Sequence, residues 1–117
     1  MKIQEFYKVV GGNYDEAMGR LMTEQRICKY LRKMSQTDDV SQMNAAFDEQ
    51  RWEEAFRFSH NVKGVSLNLS LNSLAESASA LCETVRNGIP AEDYFRLLDE
   101  VNAKYRLFLD ALEQLED

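Results

Sequence analysis

The chain contains a single histidine, His60, with Lys63 three residues later and Gly64 directly after that. An imidazole can serve as a metal ligand, a general base or a nucleophile. The metal role fails on arithmetic. The only other soft ligands, Cys28 and Cys82, lie far from His60 in sequence and give no zinc spacing. The base role lacks a carboxylate placed to orient the ring, and no second nucleophile is visible. Nucleophilic chemistry fits better. On a helix, a lysine three residues on reaches the outer edge of the imidazole. Its ammonium would be the counter-charge to a phosphoryl group carried there. The donor must be another molecule, because Gly11-Gly12 is an isolated pair without either nucleotide fingerprint. No means of binding ATP or NAD is visible, and neither a cofactor nor a metal is expected on the chain.

The segment that carries His60 reads as a strong helix from about Arg51 to Leu69. On a wheel turning about 100° per residue, Ala55, Phe58, Val62, Val65, Ser66 and Leu69 fall opposite His60 and form a core face. Glu53, Phe56, Arg57, Lys63, Gly64 and Leu67 lie on the histidine's side, within about 60°. Gly64 in the helix interior costs about 1 kcal/mol against Ala. Facing outward, it has no packing reason to be there. Phe56 and Leu67 flank the histidine although they too should be outside. Apolar residues around a helical glycine suit close approach by another protein, unless the N-terminal helices cover them. Phe56, Arg57, Gly64 and Leu67 are therefore the expected partner-binding residues.

The remaining elements must hold that helix. Residues 2–10, 14–22 and 24–34 each carry an apolar face at helical spacing, and the sequence leaves open whether the last two are continuous across Thr23. Polar Ser35 to Asp39 can cap a helix with Val40, Met43 and Phe47 inward. Asp48-Glu49-Gln50 reads as a joint. Ser70 to Ser73 reads as a turn, with Asn72 as the cap of a helix through Leu74, Ala78, Leu81 and Val85, ending near Asn87-Gly88. Pro90 suits the first turn of the last helix. Tyr94, Leu98, Val101, Tyr105, Phe108, Leu112 and Leu115 step by alternating four and three residues. That stripe suits long antiparallel packing. A dimeric coiled coil would use it too, but the short joints favour packing within one chain. The expected fold is all-α: an antiparallel four-helix bundle over about 38–116, with additional short N-terminal helices over about 2–34. Residues 1–117 read as a single domain.

Composition narrows the function. The 117 residues hold 20 acidic and 14 basic side chains, a net charge of -6, which argues against a nucleic-acid binder. No apolar run approaches the ~18 residues that cross a bilayer. The polar, early-acidic N-terminus is unlike a signal peptide, so a cytoplasmic location is expected. The cysteines read as reduced core residues. The natural-looking Met1 suggests a free-standing chain.

His60-Asn61-Val62-Lys63-Gly64 resembles the His-x-x-Lys-Gly core of histidine-containing phosphotransfer (HPt) domains. The similarity extends upstream through Asp48 and Arg51-Trp52-Glu53-Glu54-Ala55. Downstream it includes Asn68-Leu69 and the helix with Leu74, Leu81 and Val85. It covers residues 35–88 directly, and the whole chain fits the family's helical bundle. There are two departures. Ser70 stands where many members have Gly, and Val65-Ser66-Leu67 replaces a stretch that is small throughout in many members. The second bears on which partner docks. The resemblance implies a phosphorelay carrier in which a receiver domain's phospho-aspartate passes its phosphoryl group to His60, or His60 passes it on. It makes Nε2 the reacting atom, Lys63 the residue that stabilises the phosphoryl group, and the receiver the source of the acidic pocket and Mg²⁺. It implies no kinase activity. The expected partners are a response-regulator receiver domain, a hybrid sensor histidine kinase, or both, with a monomeric carrier and no membrane or nucleic acid. The competing expectation is a non-catalytic helical adaptor of HPt-like shape. A small hydrolase using His60 as base fits least.

Overall fold

The computed structural model describes residues 1–90 and 93–116, and all the regular structure in them is helical. In chain order the helices are α1 (Ile3–Val10), α2 (Tyr14–Leu21), α3 (Glu24–Gln36), α4 (Asp39–Asp48), α5 (Trp52–Asn68), α6 (Asn72–Thr84) and α7 (Tyr94–Glu113). Helices α4 to α7 are joined sequentially and pack as neighbours, α4 on α5, α5 on α6 and α6 on α7. The short joints turn the chain back on itself, so neighbours run antiparallel. A reciprocal pair of amide bonds joins α4 to α7. Asn44 donates to Asn102 at 2.9 Å, and Asn102 donates to Asn44 at 2.8 Å. Helices α1 and α3 pack on α7.

Local chemistry explains the breaks. Gly11 ends α1 in the left-handed region, at φ 70°. Asn13 caps α2 by accepting from the Glu16 amide at 3.0 Å. Helices α2 and α3 are separate. Met22 takes φ 75°, and the Thr23 hydroxyl then caps α3 by accepting from the Arg26 amide at 3.1 Å. Gln50, at φ 57°, forms the joint before α5.

The stripe of the last helix is interior, with Tyr94, Val101, Phe108, Leu112 and Leu115 buried and Leu98 and Tyr105 packed against the core. Four expectations at helix ends need correction. Asn72 is the first residue of α6 rather than its cap, and Leu71 holds the cap position without a side-chain bond. Helix α6 ends at Thr84, with a turn carrying the chain on to Asn87. Among the described residues α7 starts at Tyr94, so Pro90 is not in its first turn; residues 91 and 92 lie outside the described residues. Asp38 stands at the N-cap position of α4 but makes no side-chain capping bond.

The N-terminal segment is bolted to the α5–α6 turn. The Tyr7 hydroxyl, buried, donates to the Leu69 carbonyl at 2.7 Å. Burial is the main reason its pKa is pushed above the usual phenol value. The Asn13 amide donates to the Ser70 carbonyl at 2.9 Å, and the Ser73 amide to the Gly11 carbonyl at 3.1 Å. A Cβ at Gly12 would come within 2.6 Å of the Ser70 carbonyl oxygen and 2.7 Å of the Tyr7 ring. Neither neighbour can give way cheaply. Gly12→Ala should therefore destabilise the fold by about 1–3 kcal/mol. Gly19→Ala is the contrast. It lies within α2 with nothing within 4 Å of its added Cβ, so it should gain up to ~1 kcal/mol. Urea melts of both variants check this; equal melts would show that the Gly12 contact is not a constraint.

Candidate functional site

Helix α5 is amphipathic in an unusual way: its buried stripe is small. Ala55, Ser59, Val62 and Ser66 are its buried residues. Ser59 and Ser66 return their hydroxyls to the Ala55 and Val62 carbonyls, each at 2.7 Å. Their polarity is thus satisfied inside the helix itself, at little volume. Helix α6 answers with Ala75, Ser77, Ala78 and Cys82 toward the interior. Small residues on both helices allow close packing. Phe58 and Val65, also expected on the core face, are half-buried at its margin.

His60 is exposed on the opposite side, near the middle of α5. Its ring stacks on Phe56, with centroids 5.8 Å apart and planes 15° from parallel. Phe56 is not an open surface residue. It is half-buried against α6, where the Cys82 thiol lies 3.8 Å from its carbonyl oxygen. The guanidinium carbon of Arg86 sits over its ring, 5.5 Å from the centroid. The cover described comes from Cys82 near the end of α6 and from Arg86 in the turn that follows it.

Arg86 is itself held. Its Nε and Nη2 donate to both carboxylate oxygens of Glu83 at 2.6–3.1 Å. Those bonds are the main reason the Glu83 carboxyl is held below the usual carboxylate range, and the positive charge of Lys63 adds to the effect. Lys63, three residues after His60, lies on the same flank of α5 as Phe56. It is half-buried and has no ion pair within 4 Å among the described residues.

The rest of the face is open. A Cβ added at Gly64 would meet nothing within 4 Å. The space above this glycine is therefore free of any part of the chain. Leu67 is 47% exposed. Arg57 is turned away, its guanidinium 4.7 Å over the Phe58 ring. The structure thus stacks Phe56 on His60, leaves Lys63 and Gly64 half-buried with room for a Cβ at Gly64, exposes Leu67, and directs Arg57 toward the Phe58 ring.

Sequence reasoning missed Glu83 and Arg86. Their spacing of three on a helix was one available signal. A second was register: Phe56 and Arg86 lie equally far on either side of Leu71, so a tight antiparallel hairpin places them opposite each other.

Among the described residues no group of three His, Cys, Asp or Glu side chains is placed to hold a metal ion. Among the described residues no helix is long and apolar enough to cross a membrane.

A family model described as Hpt domain matches residues 31–117, most of the chain and all of α4 to α7 as described. No curated protein and no solved structure matches. Hpt domains carry phosphoryl groups on histidine in phosphorelays and work with receiver domains and kinases. With a family match over this span and the helical bundle that positions His60, the chain belongs to the Hpt domain family.

Proposed function

We propose that this chain is a phosphorelay carrier that takes a phosphoryl group onto His60 from a receiver-domain aspartate and returns it to another. The observation that carries the reading is the exposed imidazole in mid-helix, with Lys63 beside it and free space above Gly64. The imidazole Nε2 lone pair attacks phosphorus of the aspartyl phosphate. The N–P bond forms as the P–O bond to the aspartate breaks, and the carboxylate leaves with its electron pair. The proton on Nδ1 stays where it is. The reverse step returns the group. Lys63 faces the charge on the transferred phosphoryl group, while the acidic pocket and Mg²⁺ belong to the receiver. Gly64 and Leu67 form the open part of the docking face, with Arg57 at its margin. The carrier acts as a monomer in the cytoplasm and has no kinase activity of its own.

A helix nucleophile suits this task. Its backbone is fixed by intrahelical bonds and by the packing of the opposite face, so the receiver meets a preformed target. Transfer then depends on how closely the two backbones approach, which is where a bare Gly64 matters.

Three variants test the reading. His60→Gln should melt within about 0.5 kcal/mol of the parent, since the side chain is exposed. It should accept no phosphoryl group from a phosphorylated receiver; retained labelling would remove His60 from the role. Lys63→Ala should fold normally and transfer more slowly. One charge-assisted bond to the phosphoryl group is worth about 1.5–3 kcal/mol, or roughly 10- to 100-fold in rate. Unchanged transfer and phosphohistidine lifetime would reduce Lys63 to a solvated surface charge. Gly64→Gln should leave the helix intact or stabilise it by up to ~1 kcal/mol, yet impair transfer by obstructing approach. A normal melt with the parent transfer rate would overturn the close-approach argument.

A further inference from the structure

We propose that Phe56 and Arg86 are positioning residues for His60, together forming a stacked platform that holds the imidazole in one orientation. The inference rests on the reading of His60 as the phosphoryl acceptor and adds two residues that act through it. Three observations carry it. The imidazole lies 15° from parallel with the Phe56 ring, at 5.8 Å between centroids. The Arg86 guanidinium sits over the same ring at 5.5 Å. Arg86 makes paired contacts at the surface to Glu83, three residues back, with both oxygens of the carboxylate engaged.

Each link has a physical cause. An exposed histidine on a helix ordinarily samples several staggered wells about its first torsion and two broad orientations of the ring. Phe56 lies one turn before His60, so its ring can support the imidazole face. A free phenyl ring would itself move. Phe56 is instead half-buried against α6, and Arg86 covers it there by a cation–π contact. Arginine suits this place because its planar guanidinium can bind a carboxylate through one edge while stacking through its face. The two contacts therefore do not compete. The chain of support runs from Glu83 to Arg86, to Phe56, to His60, and crosses from the turn after α6 to α5 at the level of the nucleophile.

The expected size follows from the states removed. Selecting one of about three wells, and one of two ring orientations, raises the competent population by up to about sixfold. The platform should act on the rate of transfer once the receiver is bound. Because Arg86 is itself exposed beside the histidine, the platform is read from the imidazole signals and from the rate at receiver saturation rather than from receiver affinity.

The single histidine makes the test clean, since the ring protons of His60 give the only imidazole signals in a proton NMR spectrum. Spectra of the unphosphorylated parent, Phe56→Leu, Phe56→Tyr and Arg86→Gln should be compared at one pH. The parent signals should be shifted upfield by the Phe56 ring. Phe56→Leu should return them to the position of a free histidine, and Phe56→Tyr should keep them in place. Arg86→Gln, read like the others at a pH high enough to keep the imidazole neutral in every variant, should move them part of the way. With a phosphorylated receiver at saturation, Phe56→Leu and Arg86→Gln should transfer about three- to sixfold more slowly, and Phe56→Tyr should be near the parent. Parent-like imidazole signals in Arg86→Gln would overturn the proposal. So would a Phe56→Leu variant whose affinity falls while its saturated rate is unchanged, since that marks Phe56 as a docking residue only. If the parent itself accepts no phosphoryl group, the carrier reading fails, while the imidazole signals still decide whether the platform exists.

Discussion

Everything at the site depends on one tight reversal, the turn from α5 into α6 at Leu69–Leu71. Helix C-termini leave carbonyls without intrahelical partners, and buried ones must find donors. Here every carbonyl from Ser66 to Ser70 has one. The Leu71 amide donates to Ser66 at 2.8 Å, and the Ser70 amide to Leu67 at 3.0 Å. The Arg20 guanidinium donates to Leu67 at 2.6 Å and to Asn68 at 3.1 Å. Tyr7 takes Leu69, and the Asn13 amide takes Ser70. Four of the five therefore receive donors from the N-terminal segment, and Arg20 also brings positive charge to the negative end of α5. The N-terminal helices do not form the site. They fix the hairpin whose register places Phe56 against Cys82 and Arg86.

Ser70 shows what that turn costs. It sits at φ 53° and is fully buried. A residue with a Cβ costs roughly 1–2 kcal/mol in that region, and a glycine would avoid the penalty. The departure from the glycine of many HPt domains is thus a substitution at a position with a conformational demand. The hydroxyl gives something in return, accepting from the Arg20 guanidinium at 3.0 Å. Hydrogen bonds to charged groups contribute about 1.5–3 kcal/mol, the same order as the strain. The serine therefore offsets its own backbone cost by joining the clamp.

The sequence made legible whatever rests on periodicity and punctuation. The α7 stripe, the isolated Gly11-Gly12 pair and the two faces of α5 are all statements about spacing, and the structure has helices where those patterns lie. The helix ends were harder to read. Asn72 has the right chemistry for a cap, but the turn before it puts Leu71 in the cap position. The partial burial of Phe56 is hard to read for a deeper reason. A helical wheel gives its angle to His60 correctly but is blind to the width of the neighbouring helix. Phe56 lies on the α6 side of the histidine, and α6 comes close because Ser59 and Ser66 are small. The same closeness brings Glu83 and Arg86 to the site, although nothing in the His-x-x-Lys-Gly spacing refers to them.

Two kinds of residue therefore make the histidine's surroundings, and they place opposite demands on α5. On the α6 side, Phe56 requires company: an aromatic ring needs cover, and Arg86 lies over it. On the outer side, Gly64 requires emptiness, and it weakens the helix by about 1 kcal/mol for that purpose. A short isolated helix would tolerate such a weakness poorly. In α5 the glycine stands between Val62 and Ser66, both buried, and four residues before the end of a clamped C-terminus. Tertiary packing on one face and the Arg20–Tyr7 clamp at one end supply the helix stability that Gly64 withholds. The open surface above the glycine is thus sustained from behind, by the small-residue seam with α6 and by an N-terminal segment that reaches α5 at its last turn.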